Sequence, residues 1–286
     1  LTIPQKKNTM TIDEKIIYNK LTAKKYGWTP EWFGATDFDS NLVSKIEQFQ
    51  IEHSLEADGM VGDITQRIAS TLIASQKEQY IICGGKQVPI DWPKVFVMGE
   101  SGSLSVPSKN YKKSPSRKPG MFVVHWDACL SSASCANVLK DRGLSVHFCL
   151  DNDGTIYQLV DCSDIAYHAG GVNSASIGIE VSNGFYPKFQ SWYEKNGFGP
   201  RPLLTKTKIH KSVIDSHLDF YDIQKEALSV LIKTVCNWYG IPLQTPDSIT
   251  EVPEVANGSY KGVVCHYHVT TDKIDCAGLN IKKLLE

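Results

Sequence analysis

The chain has 286 residues, of which 42% are hydrophobic and 21% charged, with a formal net charge of -1 at pH 7. That composition describes packed globular domains rather than disorder, and the near-neutral balance gives no overall electrostatic pull toward nucleic acid or an anionic membrane. No apolar run approaches the ~20 residues of a membrane span, and the length leads us to expect two domains.

The opening LTIPQKKNTMTIDEK lacks the apolar core of a signal peptide, and Met10 is a candidate native start. Eight cysteines at scattered positions do not form the dense framework of a small secreted domain. Cys83, Cys149, Cys236 and Cys265 lie in apolar contexts and read as buried thiols. Cys129 and Cys135 are spaced so that closure is feasible, although free thiols are the expectation for a protein made in a reducing cytoplasm.

A first unit is expected over residues 11–75. Its first helix runs from about Ile12 to Tyr26, and Leu42, Ile46 and Phe49 then recur at helical spacing. ADGMVGD breaks that pattern as a tight turn, and Asp63 is placed to cap a third helix with an apolar stripe of Ile64, Ile68 and Leu72. A bundle this small is marginal on its own core. In the intervening WTPEWFGATDFDS, Trp28, Trp32 and Phe33 either offer aromatic faces to a sugar or close that core; the sequence leaves both open.

Residues 76–286 form the second unit, with 76–120 a linker and early strand and loop region. YIICGGKQVPI reads as strand, and SGSLSVPSKNYKKSPSRKPG has the composition of a loop whose basic residues make a solvated face. MFVVHW, SVHFCLDN, GTIYQLVD, SIGIEVSN and GVVCHYHV read as strands, with a hairpin turn at Asp153-Gly154. DIQKEALSVLIKTVCNWYG is a helix with Asp222 as N-cap, Gly240 as stop and a stripe of Ala227, Leu231, Val235 and Trp238. The expected class is α/β: a mixed central β-sheet flanked by helices, preceded by a small three-helix domain.

The chemistry concentrates at strand ends. VVHWDACLSSASC brings His125 to the end of one strand, and VVCHYHVTTDKIDCAG supplies His266, His268 and Cys276 at another. SIGIEVSNG presents Glu180 among small residues. A lone strand-end histidine is ordinarily structural and a lone cysteine a small buried hydrophobe. Two separated clusters carrying imidazole and thiolate point instead to zinc, whose catalytic sites use three ligands and an open position. Strand alternation puts His266 and His268 on the same side, so periodicity does not choose between them.

Two resemblances attach to these residues. KIEQFQIEHSLEADGMVGDITQRIASTL resembles a type 1 peptidoglycan-binding domain through Phe49-Gln50, Asp58-Gly59 and Gly62-Asp63-Ile64-Thr65. The ordered series VVHWDA, SVHFCLDNDGTIYQLVD, IAYHAGG, SIGIEVSNG and VVCHYHV…DCAG resembles the type 2 N-acetylmuramoyl-L-alanine amidases, which include T7-lysozyme-like, AmpD-like and peptidoglycan recognition proteins. The pairing looks like a phage endolysin or a bacterial cell-wall amidase.

The second resemblance implies a Zn²⁺ cofactor, bacterial peptidoglycan as substrate, and cleavage between N-acetylmuramic acid and L-alanine. It implies His125, His266 and Cys276 as metal ligands, with His266 preferred to His268 by motif position. Glu180 and Lys273 become the catalytic pair, although Lys273 is one residue out of register with Cys276. His168, Trp126 and Asn183 become substrate contacts. Cys265 and Val146 depart from the family pattern, and residues 186–218 exceed its core and are expected on the substrate side. The implied protein is a monomer made without a signal peptide, acting on the wall without nucleic-acid binding or membrane insertion. A non-catalytic peptidoglycan recognition protein and a zinc peptidase cutting within the stem peptide are the alternatives.

Overall fold

The computed structural model describes residues 10–75 and 78–286, and the chain divides into two units, Leu1–Lys77 and Glu78–Glu286. The expectations about the first nine residues and the 75/76 junction fall at least partly outside the described residues.

Helix α1 (Ile12–Tyr26) begins at Thr11, whose hydroxyl accepts from Glu14 N while the Glu14 carboxylate accepts from Thr11 N at 2.8 Å. These bonds satisfy amide groups that the first turn leaves without intrahelical partners. Helix α2 (Ser40–Glu52) is capped by Asp39, and α3 (Asp63–Ser75) takes Asp63 as its first residue rather than as its cap. Trp28, Phe33, Leu42, Ile46, Val61 and Ala69 form the core. The Trp28 indole N–H donates to Thr22 Oγ1 at 3.3 Å inside it. Trp28 and Phe33 therefore close the core, and Trp32 packs partly buried against it, so these rings make no exposed platform.

The expected stripe on α3 is displaced. Ile64 and Leu72 are 42% and 38% exposed, whereas Thr65, Ala69 and Ser70 are buried. The reason is a polar hub that docks on Thr65. Gln50 Nε2 lies 2.8 Å from Asp58 Oδ1, 3.0 Å from Met60 O and 3.2 Å from Thr65 Oγ1, and Gln50 Oε1 accepts from Gly59 N at 2.8 Å. Gly59 has φ 68, and a Cβ there would stand 2.7 Å from Val43 Cγ1. Of the residues that carried the first resemblance, Gln50, Asp58, Gly59 and Thr65 thus form a buried hydrogen-bond network.

In the second unit β1 (Tyr80–Cys83) and β2 (Lys86–Pro89) form a hairpin, as do β10 (Leu203–Ile209) and β11 (Ser212–Leu218). Short strands β4 (Tyr111–Lys112) and β8 (Ile165–Ala166) pair with each other. The central sheet contains β3 (Val95–Phe96), β5 (Met121–Trp126), β6 (Phe148–Leu150), β7 (Ile156–Gln158), β9 (Ser176–Val181) and β12 (Gly262–Cys265), in the order β12-β5-β9-β6-β7-β3. Only the β6–β7 pair, the predicted hairpin, is antiparallel, so the sheet is mixed as expected. Helices α4 (Ser132–Asp141), α5 (Gln190–Lys195), α6 (Asp222–Tyr239), α7 (Pro253–Ala256) and α8 (Ile281–Leu285) complete the unit. None of the described helices is long and apolar enough to cross a membrane.

Alternation along the strands divides two environments. Phe122, Val124, Ile177, Ile179, Val181, Val263 and Cys265 join one core with Ala227, Leu228, Leu231, Ile232, Val235 and Cys236 of α6. Met121, Val123 and Val264 face a second cluster with Ala169, Val172 and Val255. Fully burying each such branched side chain contributes about 1.5–3 kcal/mol, so α6 anchors one face. Helix α6 is preceded by Tyr221 as N-cap, and Trp238 stands 43% exposed while Cys236 takes the last buried place.

Several strands, β6, β7 and β12 among them, are shorter than the sequence suggests. Before β6, the side chain of His147 replaces a ladder partner: Gly178 N donates to His147 Nδ1 at 3.0 Å. Strand β12 stops at Cys265, and His266–His268 turn as a 3-10 helix. The basic loop is not simply a solvated face either. The Arg117 guanidinium donates to the carbonyls of Cys162, Ser163, Asn173 and Ser176, and Lys113 pairs with Asp164 at 2.7 Å.

Replacing Gln50 with alanine strands several buried polar groups at once, each costing about 1–3 kcal/mol. We expect Gln50→Ala to lower the stability of the first unit by about 3 kcal/mol, read as faster hydrogen exchange at Gly59 and Val61. Unchanged protection there would show that the hub is dispensable.

Candidate active site

The register of three neighbouring strands builds the site. Cys265 pairs with Val124, which brings His266 beside His125, and His125 pairs with Glu180. Ligand sites of open α/β sheets form outside such carboxyl ends. The loop after β12 adds Asp275. His125 Nδ1 lies 2.9 Å from His266 Nδ1 and 3.2 Å from Asp275 Oδ2, and His266 Nδ1 lies 3.1 Å from the same oxygen. All three residues are buried, and each offers one ligand atom to a common point. Two imidazoles and a carboxylate are a donor set that suits a divalent transition metal.

Hydrogen-bond directions fix which nitrogen of His125 faces that point. Ser176 Oγ donates to Val172 O at 2.8 Å, because a carbonyl only accepts. Ser176 Oγ then accepts from His168 Nε2 at 3.3 Å, leaving His168 Nδ1 to accept from His125 Nε2 at 3.0 Å. His125 Nδ1 is therefore the nitrogen that presents a lone pair to His266 and Asp275. An imidazole whose other nitrogen donates outward is oriented and made more basic for a metal. His168 thus stands behind His125 with both nitrogens engaged.

Electrostatics follow burial. Burial, with the neighbouring His266, lowers the His125 pKa to about 4. Burial alone would raise Asp275, but the imidazoles of His125 and His266 beside it hold it well below the usual carboxylate range. Glu180 is pushed well above its ordinary value by burial and by the charges of Asp127 and Asp275, with Lys273 acting in the opposite sense. Its Oε2 is buried without a hydrogen-bond partner. A sealed carboxylate oxygen without a partner is rare in a folded protein.

Several expected residues take other places. Cys276 is absent from the converging group, and Asp275 stands there instead. Adjacent residues turn to opposite sides: Asp275 faces the imidazoles, while Cys276 is fully buried in the α6-side core with Cys265. The signal for Asp275 was present in KIDC, because Lys273 falls into register once the third position moves back by one. His268 is also outside the group: its Nδ1 accepts from Cys265 N at 3.1 Å and its Nε2 donates to Ser248 O at 3.0 Å. The alternation argument fails for this pair because the strand has already ended.

Asn183 is fully buried, and its amide donates to Leu218 O at 2.8 Å while its Oδ1 accepts from Phe185 N at 2.9 Å. It fixes the loop after β9 rather than meeting substrate. Trp126 is half-buried against Phe185 and His217, with ring centroids 4.7 and 5.7 Å away. Lys273 is exposed, and its charge acts on both His125 and Glu180. Asp127, Cys129 and Cys135 also approach one another, but the Asp127 carboxylate already accepts from Cys129 N, Asn183 N and Ser182 Oγ.

Residues 115–278, more than half of the chain, match the N-acetylmuramoyl-L-alanine amidase family. The chain belongs to that family. It is a peptidoglycan amidase. No curated protein sequence matches it. Among solved structures, it is similar to the endolysin and N-acetylmuramoyl-L-alanine amidase LysCS from Clostridium intestinale URNW at 20% identity, covering 66% of this chain and 88% of that one with a TM-score of 0.36. A mutant endolysin from Bacillus subtilis is similar at 22% identity, covering 67% and 99% with a TM-score of 0.37. The Ph2119 endolysin of a Thermus scotoductus bacteriophage is similar at 15% identity, covering 62% and 89% with a TM-score of 0.39.

The amidase has one seat for His168 that depends on a missing side chain. A Cβ at Gly178 would lie 2.4 Å from His168 Nδ1 and 2.5 Å from its Cε1, whereas one at Gly171 meets nothing within 4 Å. Gly178→Ala is expected to destabilise the fold by about 1–3 kcal/mol, and Gly171→Ala by no more than about 0.5 kcal/mol. Denaturant titration of the two variants checks this, and equal stabilities would mean that the imidazole is not held tightly.

Proposed function

We propose that His125, His266 and Asp275 hold a catalytic zinc ion and that Glu180 is the general base for hydrolysis of the bond between N-acetylmuramic acid and L-alanine. The observation that carries this reading is the convergence of His125 Nδ1, His266 Nδ1 and Asp275 Oδ2 within 3.2 Å of one another, next to a sealed Glu180 Oε2. Zinc, when bound, supplies Lewis acidity to the scissile carbonyl and makes water acidic enough to ionise near neutral pH.

The chain's own groups do the rest. Glu180 Oε2 takes a proton from the attacking water and delivers it to the amide nitrogen as the bond breaks, since that nitrogen is a poor leaving group unless protonated. Lys273 places positive charge near the developing negative charge of the tetrahedral intermediate. His168 keeps His125 in the tautomer that frees Nδ1, a role behind the site rather than a contact with substrate. Trp126 offers its partly exposed ring to the sugar or the peptide.

Residues 11–75 are proposed to be the peptidoglycan-binding domain and residues 76–286 the zinc amidase. Support for the first comes from the FQ, DG and G-x-x-T positions that resemble such a domain and that here assemble the Gln50 hub. A wall-binding unit joined to an amidase suits an endolysin, made inside the host bacterium and acting on its wall as a bacteriolytic enzyme.

Glu180→Gln tests the mechanism. Glutamine keeps the shape but cannot take the proton, so zinc should stay bound while kcat falls by roughly 10²–10⁴-fold. Mass spectrometry of wild-type digests should show stem peptides with a free L-alanine amino group. A zinc-loaded, fully active Glu180→Gln enzyme would end the role assigned to Glu180, and cuts within the stem peptide would favour a peptidase.

A further inference from the structure

The β10–β11 hairpin lies within residues 186–218 and, among the described residues, pairs with no strand of the central sheet. Its base is tied to the end of β9, where Leu218 N donates to Phe185 O and Asn183 Nδ2 donates to Leu218 O, both at 2.8 Å. Next to that base, the Leu204–His217 pair rests on the loop that carries Asp275. A Cβ at Gly278 would stand 2.6 Å from Leu204 Cδ1 and 3.4 Å from His217 Cε1. Its tip, at His210 and Lys211, reaches the same loop at Lys273.

His210 makes the contact. Its Nε2 lies 2.6 Å from Lys273 O and must donate, since a carbonyl only accepts. Its Nδ1 meets Thr250 Oγ1 at 2.8 Å, and its backbone N donates to Ile249 O at 2.8 Å. The anchored segment needs such support. Residues 271–274 are exposed, and their other ties to distant residues include Thr271 N to the Glu251 carboxylate at 3.2 Å. The Lys273 carbonyl lies two residues before Asp275, whose own carbonyl accepts from Tyr267 N at 3.0 Å.

The backbone of His210 supplies an independent sign. Its φ is 52, in the left-handed region, at the first position of a two-residue hairpin turn. Glycine or asparagine holds that conformation with less strain than a branched ring does. A strained residue at a functional turn is retained when the surroundings hold it there, and here the imidazole bridges two other segments.

We propose that His210 is a positioning residue for the amidase reaction. By holding the Lys273 carbonyl, it fixes the turn that presents the Lys273 ammonium and the Asp275 carboxylate to His125, His266 and Glu180. The hairpin is then a brace for the metal-side loop, not only a wall on the substrate side. This rests on the reading of Asp275 and Lys273 as site groups.

Full-length His210→Gly and His210→Gln proteins test it through zinc dissociation constants by chelator competition, kcat and KM on a soluble muropeptide, and thermal midpoints. Glycine relieves the left-handed turn and keeps the backbone bond to Ile249, so a merely structural turn predicts an unchanged or raised midpoint with normal zinc binding and kcat. The brace predicts that His210→Gly weakens zinc binding and lowers kcat by roughly 10-fold each at a KM within about 2-fold. His210→Gln, whose amide can reach the same carbonyl, should recover to within about 3-fold of wild type. Wild-type zinc affinity and kcat in His210→Gly, an equal defect in His210→Gln, or a lowered midpoint that accounts for the loss would each overturn the proposal. Should the wild-type protein bind zinc without cleaving muropeptide, the roles of Glu180 and Lys273 fall, while the zinc affinity of His210→Gly still decides the brace.

Discussion

Parallel strands β12, β5 and β9 end side by side, and their register sets His266, His125 and Glu180 next to one another on one rim of the sheet. Every other feature of the site depends on that alignment. A slip of one residue in any strand would send its polar side chain into the core packed on α6, because strand side chains alternate in direction. Phe122, Val124, Ile177, Ile179, Val263 and Cys265 occupy that core and so hold the register against slippage. The hydrophobic side of the sheet thereby controls the chemistry of the polar side.

The same division settles the third member of the group. Asp275 and Cys276 are neighbours, and the chain can turn only one of them toward the imidazoles. Cys276 joins Cys265 in the apolar cluster, where a thiol packs as a small hydrophobe. Asp275 meets His125 and His266, where its carboxylate converges with an imidazole nitrogen from each. Behind His125, the series from Val172 through Ser176 and His168 orients the ring, and Gly178 leaves the space that His168 fills.

Much of this was legible in the chain. The strand pair that delivers His125 and Glu180, the hairpin at Asp153-Gly154 and helix α1 follow from alternation, turn residues and capping, which act over a few neighbours. What failed depends on distant contacts. The buried face of α3 is set by the Gln50 hub, which joins it to α2 and the ADGM turn. The end of β12 at Cys265, and with it the exclusion of His268, depends on Ser248 some twenty residues upstream. The resemblance implied Asn183 as a substrate contact, yet its amide serves a β11 carbonyl that lies far along the chain. The choice between Asp275 and Cys276 is a one-residue question that residue types alone do not answer, since both are competent zinc ligands.

The placement of the metal is the central claim, and zinc-edge anomalous diffraction from crystals loaded with one equivalent of zinc tests it directly. A single peak is expected at about 2.0–2.2 Å from His125 Nδ1, His266 Nδ1 and an Asp275 carboxylate oxygen, with the Cys276 sulfur turned away. A peak at about 2.3 Å from Cys276 Sγ, or one seated instead among Asp127, Cys129 and Cys135, would contradict it.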